Sequence, residues 1–188
     1  LCEAGEDPHS YMGSQIAHLD YRALIADVRE GKAAAKDQRQ LGKVANLSLQ
    51  FRTSAKKLRQ VARVQYNLPM EMPEAYNIRH TYLSVYRRVP MYWQEQISLT
   101  RRRGWVETLA GRRVQVVGNW DGNFGWSMAS TAINFRIQGT GADQKYLALA
   151  VLRRYLVTIG ARFAWDLHDG LYLYVPDDRV EQASVEIP

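Results

Sequence analysis

Arg39, Lys43, Leu47 and Phe51 stand four apart in the stretch RQLGKVANLSLQF (39–51). Four residues advance a helix by about one turn, so a helix here puts all four on one face. The stripe begins cationic and ends apolar, whereas an ordinary amphipathic helix segregates charge from its apolar side. It is either a solvated helix end running into core or a surface for a ligand with charged and flat parts. Asn134 and Gln138 stand one turn apart in an otherwise apolar run. Buried amides need hydrogen-bond partners; failing those, they face a ligand, and base edges and sugars are such ligands. Asp169 stands in HDG, with His168 before it, between two alternating apolar runs. It is either a turn former or a metal ligand.

Composition bounds what these residues can serve. The chain has 188 residues, 46% of them hydrophobic, enough for one sizeable domain or two small lobes with a real core. Lys and Arg total 25 against 19 acidic residues, giving a formal charge of +6 and a pI near 9.5, which tilts towards a phosphate-bearing partner. A single cysteine, Cys2, excludes an internal disulfide and a cysteine metal cluster. No apolar run is long enough to span a bilayer, so no membrane partner is expected and a soluble, reducing, cytoplasmic setting fits. The chain opens on Leu1 with no signal peptide, which reads as the start of an N-terminally incomplete piece.

The elements that must position these residues change character near residue 100. Segments 10–36, 37–51, 53–66 and 74–98 carry helix-spaced apolar residues, and NLPMEMP (67–73) is a loop. From residue 105 to 117 β-branched alternation with Gly at the turns predicts a strand or hairpin, followed by a loop of Gly, Asn, Asp and Trp to about 126. Residues 127–159 carry a long apolar period ending at Gly160, a C-cap, and are expected to form the main buried helix. ARFAWDLHDGLYLYVP reads as a tight hairpin, and DDRVEQASVE as one more helix with an acidic start.

Five blocks, in this order, resemble the family A DNA polymerases, the group of bacterial DNA polymerase I and related phage replicative enzymes. EAGEDPH is similar to the family's acidic-Gly-Asp-x-His run, and RQLGKVANLSLQF to its fingers helix with Arg-x3-Lys-x2-Asn spacing. TLAGRR resembles its Gly-Arg-Arg hairpin, INFRIQGTGAD its Asn-x3-Gln-Gly-Thr-x-Ala-Asp helix, and LHDGLYL its His-Asp-Glu motif. The resemblance runs from about Glu3 to Val175. It implies an α+β fold: a helical fingers subdomain (1–104), then the C-terminal part of a palm (105–188) with an antiparallel sheet, a long buried helix and a catalytic hairpin.

It also implies roles. Arg39, Lys43 and His9 would meet the triphosphate of an incoming dNTP, with Lys43 also protonating the departing pyrophosphate. Leu47 would lie against sugar and base, and Phe51 beside the templating base. Asn134, Gln138, Arg112 and His168 would contact primer-template DNA, the alternative for Arg112 and Arg113 being plain solvation. Asp169 would be a catalytic carboxylate holding two Mg²⁺ ions, the second carboxylate belonging to a strand upstream of Leu1. Asp20 and Asp166 carry little weight as substitutes.

The chain is therefore expected to be an incomplete part of a DNA-directed DNA polymerase, inactive alone, with the upstream remainder as partner. Three departures stand out: Gly170 where the family usually has Glu, Leu47 where it has Phe or Tyr, and Phe51 where it has Tyr. Leu47 leans the reading towards a phage enzyme, acting in a bacterial or phage-infected cytoplasm. Gly170 keeps a second reading open, a non-catalytic nucleic-acid-binding module with a degenerate polymerase fold.

Overall fold

A computed structural model of the chain describes residues 6–122, 124–167 and 170–187. Six helices come first: α1 (Pro8–Ala17), α2 (Tyr21–Arg29), α3 (Ala33–Leu49), α4 (Ala55–Tyr66), α5 (Met72–Val85) and α6 (Arg88–Arg103). Strands β1 (Trp105–Glu107) and β2 (Arg113–Gln115) form an antiparallel hairpin, and α7 (Gly125–Thr158) follows. A second antiparallel pair, β3 (Arg162–Leu167) and β4 (Gly170–Tyr174), precedes a short 3₁₀ turn and α8 (Val180–Glu186). The fold class is α+β, as expected. Among the described residues no helix is long and apolar enough to cross a membrane.

Two stretches expected as single helices are broken, each by a residue with an identifiable preference. The segment 10–36 divides because His18 closes α1 in the left-handed region (φ 53°) and Asp20 caps α2, its side chain accepting the Ala23 amide at 2.9 Å. Gly31 then turns the chain at φ 85° into α3. The segment 74–98 divides at Tyr86, because in a continuous helix the ring of Pro90 would strike the carbonyl four residues back, which is that of Tyr86. Within the first turn of α6 a proline is tolerated, since no N–H is needed there.

The larger core joins α1, α3, α4 and α5 through Met12, Val44, Leu49, Leu58, Ile78 and Tyr82. A smaller one, of Leu156, Ile159, Ala161 and Ala183, closes the C-terminal end of α7 over α8 and β4. Burial along α7 is partial. Ala129, Ala132, Ile133 and Gly139 are buried near α6 and β1, whereas Ile137, Tyr146, Leu147, Val151 and Val157 are exposed. The run is apolar on more than one face, so its periodicity does not single out a buried side.

Candidate nucleotide-binding site

The site begins with two glycines. A Cβ on Gly13 would stand 2.4 Å from the Gln38 carbonyl oxygen, and one on Gly42 2.1 Å from that of His9, so the backbones of α1 and α3 touch through these positions. This contact sets the start of α1 against the middle of α3. Asp7, the N-cap of α1, accepts the His9 amide at Oδ1 (3.1 Å), and at Oδ2 the Ser10 hydroxyl (2.6 Å) and Arg39 Nε–H (2.7 Å). Asn46 Nδ2 donates to the Pro8 carbonyl at 2.9 Å and lies 3.2 Å from His9 Nδ1. The bond to Pro8 fixes the amide orientation, so Nδ1 is the acceptor and Nε2 carries the proton.

Electrostatics show that the cations gather here. Burial pushes the His9 imidazole below its ordinary 6.5; Asp7 opposes this, while the nearby charges of Arg39 and Lys43 add to it. Burial works to raise the Asp7 carboxyl, but the bonds from Ser10, Arg39 and the His9 amide outweigh it and hold the group below 3.8. Lys43 makes no hydrogen bond or ion pair among the described residues and is half-buried one turn beyond Arg39. His9 and Leu47 also line a cavity of about 490 Å³, together with Asn46, Tyr86, Arg88 and Tyr92. Phe51 lies in the turn after α3, half-buried, behind Gln50, whose carbonyl accepts the Trp93 indole N–H at 2.9 Å.

Three of the expected DNA contacts sit on a second surface. Arg112 is neither free nor merely solvated: it donates through Nε to Asp143 Oδ1 (2.6 Å) and through Nη2 to the Gly139 carbonyl (3.1 Å), and its guanidinium stacks 5.1 Å over Phe135. It clamps the β1–β2 hairpin onto α7, where Gly139 leaves room for Thr108. Asn134 Nδ2 donates to Ser130 Oγ (3.2 Å), while its buried Oδ1 has no partner among the described residues. Gln138 is exposed one turn on.

His168 and Asp169 lie outside the described residues. The two carboxylates given little weight have structural work instead: Asp20 caps α2, and Asp166 pairs with Lys145, which holds its carboxyl below the usual range. Among the described residues no group of three or more His, Cys, Asp or Glu could hold a metal ion. Those residues do not by themselves fit a magnesium centre.

Residues 2–188 match the sequence model of DNA polymerase family A. The chain belongs to that family. It is 31% identical over 182 residues to DNA polymerase I of Deinococcus radiodurans, a match covering 96% of this chain and 17% of that protein. It is likewise 31% identical over 182 residues to the thermostable DNA polymerase I of Thermus filiformis, covering 96% of this chain and 20% of the relative. The chain thus spans a fifth or less of those proteins' length. Its fold is similar to the POL domain of Pol1 from M. smegmatis, solved in complex with DNA primer-template and dNTP, with a TM-score of 0.73. That likeness carries 21% sequence identity and covers 97% of this chain and 30% of the solved one.

In this family A chain, sequence reasoning took Asp7 and Asn46 only as positions of the matching blocks, without a role, and missed Gly13 and Gly42 as site-forming residues. Signals for two kinds existed. Asp-Pro before a helical run marks an N-cap followed by N1, and a glycine inside a helical pattern often marks close backbone approach.

Proposed function

We propose that the chain supplies the nucleotide-binding fingers (1–104) and the C-terminal part of the palm (105–188) of an enzyme that carries out DNA-templated DNA synthesis. The observation that carries this reading is the convergence of His9, Arg39 and Lys43 at the α1–α3 contact, beside a cavity walled by Leu47, Tyr86 and Tyr92. Cations meet triphosphate and flat or apolar groups meet sugar and base. Arg39 and Lys43 hold the dNTP phosphates in a partly dry cleft, where preorganised donors count most, and Lys43 gives a proton to the departing pyrophosphate. His9 adds a phosphate contact through Nε2, Leu47 faces sugar and base, and Phe51 lies beside the templating base. Asn134, Gln138, Arg112 and His168 meet the primer-template near the new pair, where uncharged donors read the minor groove without demanding one sequence.

Asp169 would be the ligand this chain contributes to magnesium, with a second carboxylate from another segment of the enzyme, and the bound ions would supply the positive charge that activates the primer 3′ hydroxyl and stabilises the leaving oxygens. Gly170, in place of a further carboxylate beside Asp169, favours a second reading, a nucleic-acid-binding module that does no chemistry.

A chimera separates the two. Residues 3–175 replace the matching segment of D. radiodurans DNA polymerase I, and primer extension is measured with Lys43 intact and as Lys43→Ala. Template-directed extension that falls about 100-fold or more in the variant, with DNA affinity changed little, supports catalysis. A chimera that binds primer-template yet extends nothing supports the module.

A further inference from the structure

We infer that Asp7 is a positioning residue for phosphate recognition, holding Arg39 and His9 in one preorganised unit; the inference rests on the reading of Arg39 as a phosphate contact. Asp7 uses both carboxylate oxygens. Oδ1 fixes the His9 amide and Oδ2 takes Ser10 and the Nε edge of Arg39, while the Asp7 amide itself donates to the Tyr21 hydroxyl at 3.1 Å. One residue thereby ties α1 and α3 through its side chain, and α2 through its backbone, beside the cavity that His9 lines. Because Arg39 spends its Nε–H on Asp7, the two terminal nitrogens, which make no bond among the described residues, stay available as a fork for a bidentate phosphate contact. An unheld arginine would have to give up its rotamer freedom when the anion arrives.

A carboxylate has the wrong sign for an anion site, which makes the direction of its effect decisive. As a mere nearby negative charge, Asp7 would repel phosphate and its removal would tighten binding. Its charge is already met by Arg39 and by the N-terminus of α1, so loss of Arg39 placement outweighs loss of repulsion. Serine separates the two roles of Asp7, since it also caps helices but does not reach Arg39 as a charged partner.

Binding of inorganic tripolyphosphate to the 188-residue chain is measured by calorimetry for wild type, Arg39→Ala, Asp7→Ser and the double variant, with thermal melts as the check on folding. Asp7→Ser is expected to weaken binding about three- to tenfold when Arg39 is present, and to leave it unchanged or tighter in the Arg39→Ala background. Asp7→Asn keeps the size of the side chain and one oxygen for the cap but not the charged second oxygen that holds Arg39, so weaker binding there carries the same conclusion even if Asp7→Ser folds poorly. Equal affinity of wild type and Arg39→Ala removes the phosphate reading and the inference with it. If Arg39 matters but a folded Asp7→Ser or Asp7→Asn variant binds as tightly as wild type, the positioning inference alone is overturned.

Discussion

His9 sits between Asp7, Arg39 and Lys43, and its burial gives it a measurable pH signature. Its folded pKa lies below 6.5, so between that folded value and 6.5 the unfolded chain binds a proton that the fold resists. Stability is independent of His9 above this window and falls as pH drops through it. Thermal melts of wild type and His9→Gln at a series of pH values are expected to show the steeper decline in wild type; parallel declines would remove His9 as the titrating group. Leu47, 43% exposed beside the cavity, presents an aliphatic face where the family usually has an aromatic ring. In the chimera, Leu47→Tyr is expected to shift the preference between dNTPs and their 3′-deoxy analogues without lowering Tm. An unchanged ratio of the two incorporation rates would take Leu47 out of the sugar contact.

Helix α3 can present its stripe only because α1 lies against it at backbone distance. Gly42→Ala would drive a Cβ to 2.1 Å from the His9 carbonyl, a clash with backbone that no rotamer relieves. The expected loss is about 1–3 kcal/mol, or about 3–10 °C in Tm for a chain of this size. Gly141, in the middle of α7, has nothing within 4 Å of the place where an added methyl would stand, so Gly141→Ala is expected to be neutral or to stabilise by up to about 1 kcal/mol through helix propensity. Thermal melts of the two variants check both expectations; similar Tm values would show that the α1–α3 contact yields easily. The β1–β2 hairpin is held to α7 by the Arg112–Asp143 ion pair, so its arginines are placed by an element pairing rather than by local sequence.

At the scale of the molecule, charge and carboxylate count set the expectations. A formal charge of +6, with Arg101, Arg102 and Arg103 exposed at the end of α6 near the Arg113 hairpin, gives a surface suited to phosphate backbones. DNA affinity of the 188-residue chain is expected to fall linearly with salt on a double-logarithmic plot, because each neutralised phosphate releases counterions. A magnesium pair needs carboxylates from more than one segment, and among the described residues no cluster provides them. The chain alone is therefore expected to show no primer extension with Mg²⁺. In the chimera, Asp169→Ala is expected to abolish extension, and activity that survives it would move the metal site elsewhere.

Most local elements, and the residues from which a chemistry could be proposed, were legible in the sequence alone. Spacing of four put Arg39, Lys43 and Leu47 on one helix, alternation with Gly marked both hairpins, and block order pointed to the polymerase family, because each of these signals lies within a few dozen residues. The helix breaks at Asp20 and Tyr86 were also written locally, in a cap residue and in Pro90, though a broad apolar periodicity runs through both. Tertiary structure alone decided what the candidate residues touch. Asp7 meets Arg39 across 32 residues, Asn46 meets His9 across 37, and Arg112 meets Asp143 across 31. Such partners depend on which helix faces meet, which Gly13, Gly42 and Gly139 permit by leaving out a side chain, and periodicity along one helix carries no information about the helix that will pack against it.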